Sequence, residues 1–198
     1  MKTEGLDEVI AAIEKLSEDK SPLLIALDGR SGTGKSTLSK QIASKVGAAV
    51  IEGDDFYSGG SFEQWDKRSP KEKAALCIDW ERMRVEALEP LLTGRTATWH
   101  PFNWQTNIGL AEYSITCKPA RIVILDGAYS SRPELADLID LSILVQLPDA
   151  TRRERLKGRE QGSFMEKWHD VWDEAEDFYF KHVRPPSLFD LVIKRSAD

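Results

Sequence analysis

Cysteine is scarce in this chain of 198 residues, and the two present, Cys77 and Cys117, form neither a C-x-x-C pair nor a zinc pattern. That excludes a disulfide framework and suits a reducing cytosol, with both thiols in the core or just below the surface. Histidine is almost as rare: His100, His169 and His182 lack metal-ligand spacing. His100 is expected in a loop packed among Trp99 and Trp104, and the other two on helix surfaces. Positive charge is not in excess, since 27 Lys+Arg stand against 33 Asp+Glu for a net charge of -6. Nonspecific affinity for nucleic acid or an anionic membrane is therefore not expected, and any phosphate site must be local. Long apolar runs are missing too, and the opening MKTEGLDEVIAAIEKL has no apolar h-region. Secretion and membrane insertion are not expected, so the reading is a soluble, cytoplasmic protein. No Pro/Gly/Ser-rich linker and no internal repeat divides the chain, so residues 1–198 are read as one domain large enough for a real core.

What is present is organised around Leu23 to Leu38, LLIALDGRSGTGKSTL. An apolar run from Leu23 to Leu27 leads into a Gly-rich turn and then a helix-compatible segment. Gly29, Gly34, Lys35 and Ser36 fit G-x-x-x-x-G-K-[ST], the P-loop signature in its required context. Glycine is needed because the backbone turns tightly and brings N–H groups close to phosphate oxygens. The following helix adds unpaired N–H groups and the positive end of its dipole. Gly29, Arg30, Ser31, Gly32, Thr33, Gly34, Lys35, Ser36 and Thr37 are thus the expected cradle for ATP, with Lys35 on the β- and γ-phosphates and the Ser36 hydroxyl on Mg²⁺.

Along the chain, Leu6, Val9, Ile10, Ile13 and Leu16 recur at helical spacing, which predicts an amphipathic helix over Leu6–Glu18. Leu38, Ile42 and Val46 give the buried stripe of the helix after the P-loop, stopping near Gly47. A strand over Ala48–Ile51 delivers Glu52-Gly53-Asp54-Asp55-Phe56-Tyr57 at its carboxyl end, where ligands bind in open parallel sheets. Ser58–Lys67 is expected to be a mobile cover over the acceptor site. Ser69-Pro70 starts a helix, and Asp79 is placed to cap another that carries Trp80, Met83, Leu88 and Leu91 and ends at Gly94. Thr96–Trp99 and Tyr113–Cys117 read as two strands of a small insert, about residues 95–118. Arg121–Leu125 is a buried strand ending in Asp126-Gly127, the Walker B pattern, in which Asp126 binds Mg²⁺ directly or through water. A short helix over Glu134–Leu138, a strand over Leu141–Leu147, a basic helix from Pro148-Asp149, a long helix over Phe164–His182 and a last strand over Leu188–Ile193 complete the chain. Strands interleaved with helices give an α/β fold with a five-stranded parallel sheet.

Two sets of side chains carry chemistry beside the P-loop. Asp54 and Asp126 end two strands near the P-loop strand and can face one Mg–phosphate centre, and Asp54 is the candidate base that accepts the acceptor hydroxyl's proton. The alternative is that Asp54 or Asp55 caps a turn; Asp55 points to the other side. Arg152, Arg155 and Arg159 recur at i, i+3 and i+7, so they share a helix face and can clamp the transferring phosphate, or form a solvated basic face with Glu154 and Glu160. As a clamp they form a closing lid, about residues 152–163, which excludes water.

The order DGRSGTGKST, GDDFY, IVILDG, DLSILVQLPDATRRERLKGRE and PPSLFDLVI resembles the uridine kinase-like family of P-loop kinases, relatives of phosphoribulokinase and bacterial pantothenate kinase. The resemblance covers Ser21 to Ile193. It implies a three-layer P-loop kinase with a small β insert and an Arg-rich lid, a phosphotransferase using ATP and Mg²⁺ on the hydroxyl of a small-molecule acceptor. In the family the D-x-F-Y aspartate is the catalytic base, which falls on Asp54, here also near the metal, and Tyr57 falls on a substrate-contacting aromatic. The carboxylate after the Walker B strand, usually Glu, is here the shorter Asp126. Arg152, Arg155 and Arg159 match lid arginines that touch phosphates, and Asp79 falls near the aspartate that holds ribose hydroxyls, with helix capping as its other reading. Where the nucleoside kinases carry Tyr-Asp-Phe followed by a base-reading His, this chain has Phe102-Asn103-Trp104 and then Gln105-Thr106-Asn107. Phe102 and Asn103 remain substrate-binding candidates, while uridine or cytidine competes with a sugar, a vitamin or another small metabolite. A regulatory NTPase is the other class, although the D-x-x-G and N-K-x-D elements of a GTPase do not occur. The oligomeric state is open, a homo-oligomer included.

Overall fold

The computed structural model describes residues 5–159 and 163–196, with backbone alone at 159 and 163–167. Helix α1 (Leu6–Ser17) precedes β1 (Leu23–Asp28), and the P-loop joins β1 to α2 (Lys35–Val46). Strand β2 (Ala49–Glu52) ends in a 3₁₀ turn, Gly53–Phe56, followed by α3 (Phe62–Asp66), α4 (Pro70–Leu76) and α5 (Trp80–Met83). A π-helical stretch, Arg84–Leu88, carries α5 into α6 (Glu89–Leu92). The insert strands β3 (Ala97–Trp99) and β4 (Ile115–Cys117) come next, then β5 (Ile122–Asp126), β6 (Leu141–Gln146), α7 (Asp149–Arg159), α8 (Ser163–Phe178) with a π-helical extension Tyr179–Val183, and β7 (Leu191–Lys194).

The main sheet has five parallel strands in the order β2-β5-β1-β6-β7. Strand β1 is central, pairing Leu23 to Leu27 with Ile122 to Asp126 on one side and Ile25 to Asp28 with Leu141 to Leu144 on the other. All six residues of β1 are buried. That is why it reads as a continuous apolar run rather than an alternating one: a parallel strand covered on both faces has no wet side. Its side chains still alternate between layers. Leu23, Ile25 and Leu27 pack with Val9, Ile13, Leu38 and Ile42 of α1 and α2, whereas Leu24 joins Val123, Leu125 and residues of α5, α6 and α8 on the opposite face. Burying each such side chain contributes about 1.5–3 kcal/mol.

The insert is the antiparallel pair β3–β4, with Ala97 opposite Cys117 and Trp99 opposite Ile115. It is pinned by Asp55, whose Oδ2 accepts the Trp99 indole N–H at 2.9 Å and whose carbonyl accepts the Phe102 N–H at 2.7 Å. Asp55 thereby serves the fold, on the side of the chain away from the P-loop. Two expectations need correction. Ser58–Lys67, expected as a mobile cover, contains α3 closed by a Ser61–Gln64 capping box and anchored by the fully buried Trp65. The long helix expected through His182 is regular to Phe178 and widens into the π-helical turn. Among the described residues, no helix is long and apolar enough to cross a membrane.

Candidate active site

The carboxyl ends of β1, β2 and β5 open into a cleft of about 1300 Å³, in which the P-loop forms one end and aromatic rings the other. The loop's glycines are required by space as much as by torsion. At Gly29 (φ 148°) an added Cβ would stand 2.4 Å from the Val145 carbonyl oxygen, and at Gly32 (φ 82°) 2.9 Å from that of Arg152. Helix α2 begins at Lys35 with no side-chain cap, so its first-turn N–H groups are left for an anion. The Lys35 ammonium arches back over the loop to the Arg30 carbonyl at 3.0 Å, which the Thr33 hydroxyl also reaches at 2.8 Å.

Asp126, at the end of β5, accepts the Ser39 hydroxyl on Oδ2 at 3.2 Å, while its buried Oδ1 has no hydrogen-bond partner. Ser36 and Asp54 line the same cleft. An orphaned carboxylate oxygen, a hydroxyl and a second carboxylate are the hard oxygen donors that Mg²⁺ takes, so these residues fit that ion. Among the described residues, no group of three or more His, Cys, Asp and Glu could hold a metal unaided. Mg²⁺ is usually held by one or two carboxylates together with substrate phosphates. Asp54 follows β2 directly in the 3₁₀ turn, its side chain open to the water of the cleft. Protein crowds it from most directions, and this desolvation raises its pKa above the ordinary carboxylate value. Lys35 opposes the rise, whereas Asp126, Glu52 and Asp55 reinforce it.

Behind the loop lies a carboxylate that the sequence reading did not single out. Asp28 is fully buried and accepts N–H groups from Gly29 (2.7 Å), Tyr129 (2.9 Å) and Ser131 (2.9 Å) and the Tyr179 hydroxyl (3.0 Å). It ties the P-loop to the segment after β5 and to the end of α8. Burial pushes its pKa up to about 6, against the pull of its donors and Lys35.

Several expected ligands of the phosphates are engaged elsewhere. Arg30 turns away from the cradle and pairs with Asp149 (3.3 Å), Asp173 (3.4 Å), Glu176 (3.5 Å) and Asp177 (2.7 Å). The Ser31 N–H and hydroxyl both donate to Glu176, at 2.9 and 2.6 Å. Arg152 is 0% exposed and held by Asp173 (2.8 Å), Asp149 (3.2 Å) and the Ser31 carbonyl (3.3 Å), so in this structure it braces the loop from behind instead of facing the cleft. Arg155 does approach the mouth of the loop. A Cβ on Gly34 would lie 3.8 Å from its Nη1 and 2.5 Å from that of Arg195, which donates to the Gly34 carbonyl at 3.3 Å. Arg195 follows the last strand with no motif to announce it. The side chain of Arg159 lies outside the described residues.

At the other end, Tyr57 and Phe102 line the cleft as expected, but Asn103 and Asp79 do not. The Asn103 carboxamide accepts the N–H groups of Gln105 and Thr106 at 3.1 Å each and shapes its own turn. Asp79 caps α5 by accepting the Arg82 N–H at 3.0 Å. Asn and Asp at such positions satisfy local backbone donors, the competing reading for both. His100 bonds the Ala111 carbonyl at 2.9 Å within its loop, whereas His169, expected on the helix surface, lines the cleft with Trp168 and Trp172 of α8. The W-x-x-x-W spacing was the available signal for that wall.

Comparisons with known proteins agree with this geometry. No protein-family model matches the chain. It is 25% identical over 179 residues to the uridine kinase of Halobacterium salinarum, covering 88% of this chain and 77% of that protein. It is 27% identical over 184 residues to the uridine kinase of Clostridium botulinum (strain Kyoto), covering 90% and 87%. A solved structure described as a possible uridine kinase from Bacillus stearothermophilus superposes with a TM-score of 0.73 at 17% identity, over 95% of this chain and 96% of that one, and shares the fold. In sequence the chain is thus similar to uridine kinases, and in its sheet to a solved structure of that kind.

Proposed function

We propose that this protein is a single cytoplasmic kinase domain that moves the γ-phosphoryl of Mg·ATP onto a hydroxyl of a small acceptor, with uridine or cytidine as first candidates. The observation that carries the reading is the continuity of one cleft from Lys35 and Ser36, past Asp54 and Asp126, to a ring-lined end. In-line transfer needs the acceptor oxygen beside the γ-phosphorus, opposite the leaving oxygen, with the base in reach of that hydroxyl, and a single cleft lets all three meet.

The backbone N–H groups of the loop and Lys35 hold the donor phosphates. Ser36 and Asp126, with Asp54 adjacent, would hold Mg²⁺, which when bound neutralises charge on the β- and γ-phosphates. Asp54 aims the acceptor hydroxyl and takes its proton, a task its raised pKa suits by bringing the carboxylate nearer the pH at which it works. Arg155 and Arg159 meet charge developing on the transferring group, and Arg152 positions the loop they close upon. The insert and Tyr57 bound the acceptor.

A second reading, a non-nucleoside acceptor, is favoured by one feature: the insert loop places no histidine in the cleft, and Asn103 is used within its own turn. A coupled ADP-release screen over nucleosides, sugars, vitamins and amino alcohols separates the two. Uridine- or cytidine-dependent ADP release is the expected result. ADP release with sugars or vitamins alone would move the assignment to the second reading.

A further inference from the structure

The arginines around the P-loop differ in what neutralises them. Arg30 faces four carboxylates and Arg152 two, so each spends its charge inside the protein. Arg195 pairs with no carboxylate among the described residues. Its backbone N–H extends the β6–β7 pairing to the Gln146 carbonyl at 2.9 Å, which fixes where the side chain starts. From there the half-buried side chain reaches the loop, its Nη1 donating to the Gly34 carbonyl at 3.3 Å. That carbonyl already accepts the Leu38 N–H of α2 at 3.1 Å, so the helix does not depend on the arginine to satisfy it. Arg155 approaches the same spot: a Cβ on Gly34 would stand 2.5 Å from Nη1 of Arg195 and 3.8 Å from Nη1 of Arg155. Two converging cations repel, and an anion between them removes that cost. Arg195 also lines a recess of about 490 Å³ with Arg30, Thr33, Leu147 and Phe180, and this recess shares no lining residue with the cleft of Asp54 and Asp126.

We propose that Arg195 is a donor-binding residue that meets the α- and β-phosphates of the nucleotide beside Gly34, on the side of the P-loop away from the group being transferred. The proposal rests on the kinase reading above. Position decides which phosphates these are. Transfer takes place in the cleft that holds Lys35, Asp54 and Asp126, and Arg195 lines none of it. The part of the donor within its reach is therefore the part that ATP and ADP share. A guanidinium suits the role, since its fork of N–H donors matches phosphate oxygens while one nitrogen keeps its hold on Gly34. The side chain is already drawn to the loop before any ligand arrives, so little ordering remains to oppose binding. An interaction with phosphates that do not react is equal in the ground state and the transition state. It adds to nucleotide affinity and leaves the chemical step alone.

Calorimetric titration with Mg·ATP, Mg·ADP and Mg·tripolyphosphate tests this, with Arg195→Gln and Arg195→Lys beside wild type. Arg195→Gln keeps a donor for the Gly34 carbonyl and loses the charge, and it is expected to weaken all three ligands by a common factor of about tenfold. Arg195→Lys keeps the charge and should recover most of that loss. In steady-state assays Arg195→Gln should raise the KM for ATP and leave the acceptor KM unmoved, with kcat at saturating ATP within about twofold of wild type. If Arg195→Gln binds all three ligands as wild type does, Arg195 is only a brace of the loop and the proposal is overturned. A loss confined to ATP would put Arg195 on the γ-phosphate, and a loss that spares tripolyphosphate would put it on the nucleoside; either result overturns the proposal as well. Wild type that binds neither ATP nor ADP would overturn the kinase reading, and this proposal with it.

Discussion

Among single residues, two aspartates of the site differ in what surrounds them. Asp54 is wet on its cleft side and crowded elsewhere, so its pKa is raised but its oxygen stays available to an acceptor. Asp54→Asn keeps the shape and removes the base. Turnover should fall about 10²–10⁴-fold while the KM for ATP moves less than about threefold; full activity in this variant removes Asp54 from the mechanism. Asp28 is dry and held by four donors, and its value of about 6 lies above the 3.8 of an unperturbed carboxyl. The folded chain therefore keeps a proton that the unfolded chain has released. The stability this confers is complete below pH 3.8 and is lost as pH rises through about 6, by at most about 3 kcal/mol. Urea unfolding between pH 4 and 7.5 should show wild type losing stability over that window and Asp28→Asn losing less. Parallel curves would mean that Asp28 does not titrate there.

At the scale of elements, α8 with its π-helical extension serves both ends of the cleft. Its Asp173 and Glu176 hold Arg152, Arg30 and Ser31 behind the P-loop, its Tyr179 reaches Asp28, and its Trp168 and Trp172 line the far end of the cleft. Glu176→Gln retains an oxygen for Ser31 but removes the charge facing Arg30. A loss of about 1–3 kcal/mol in urea unfolding is expected, together with a raised KM for ATP, because the loop's N–H groups lose their brace. Unchanged stability and unchanged KM would show that the contact is idle. Helix α7 shows what spacing conveys. Spacing relates Arg152 and Arg155 by three residues along the helix, but the partner of Arg152 is Asp173, far along the chain, and no local pattern encodes that choice.

For the whole molecule, the legible features were those whose cause is local. Strand β1 and strand β5 announced themselves because burial on both faces demands an apolar run, and the P-loop because Gly29, Gly32 and Gly34 meet backbone or side-chain atoms where a Cβ would stand. Asp126 followed from strand and loop together. What stayed hidden depends on contacts across the fold: Asp28 gathering three segments, Arg195 reaching the Gly34 carbonyl, and α8 turning its tryptophans inward. Asp79 and Asn103 went the other way, since their strongest partners are the backbone groups next to them.

Transfer rather than hydrolysis is what makes this protein a kinase, and a single turnover of γ-labelled ATP with the productive acceptor shows where the phosphoryl goes. The label is expected to leave ATP one-for-one with ADP formation and to appear on the acceptor hydroxyl. Label released as inorganic phosphate, with the acceptor unmodified, would contradict it.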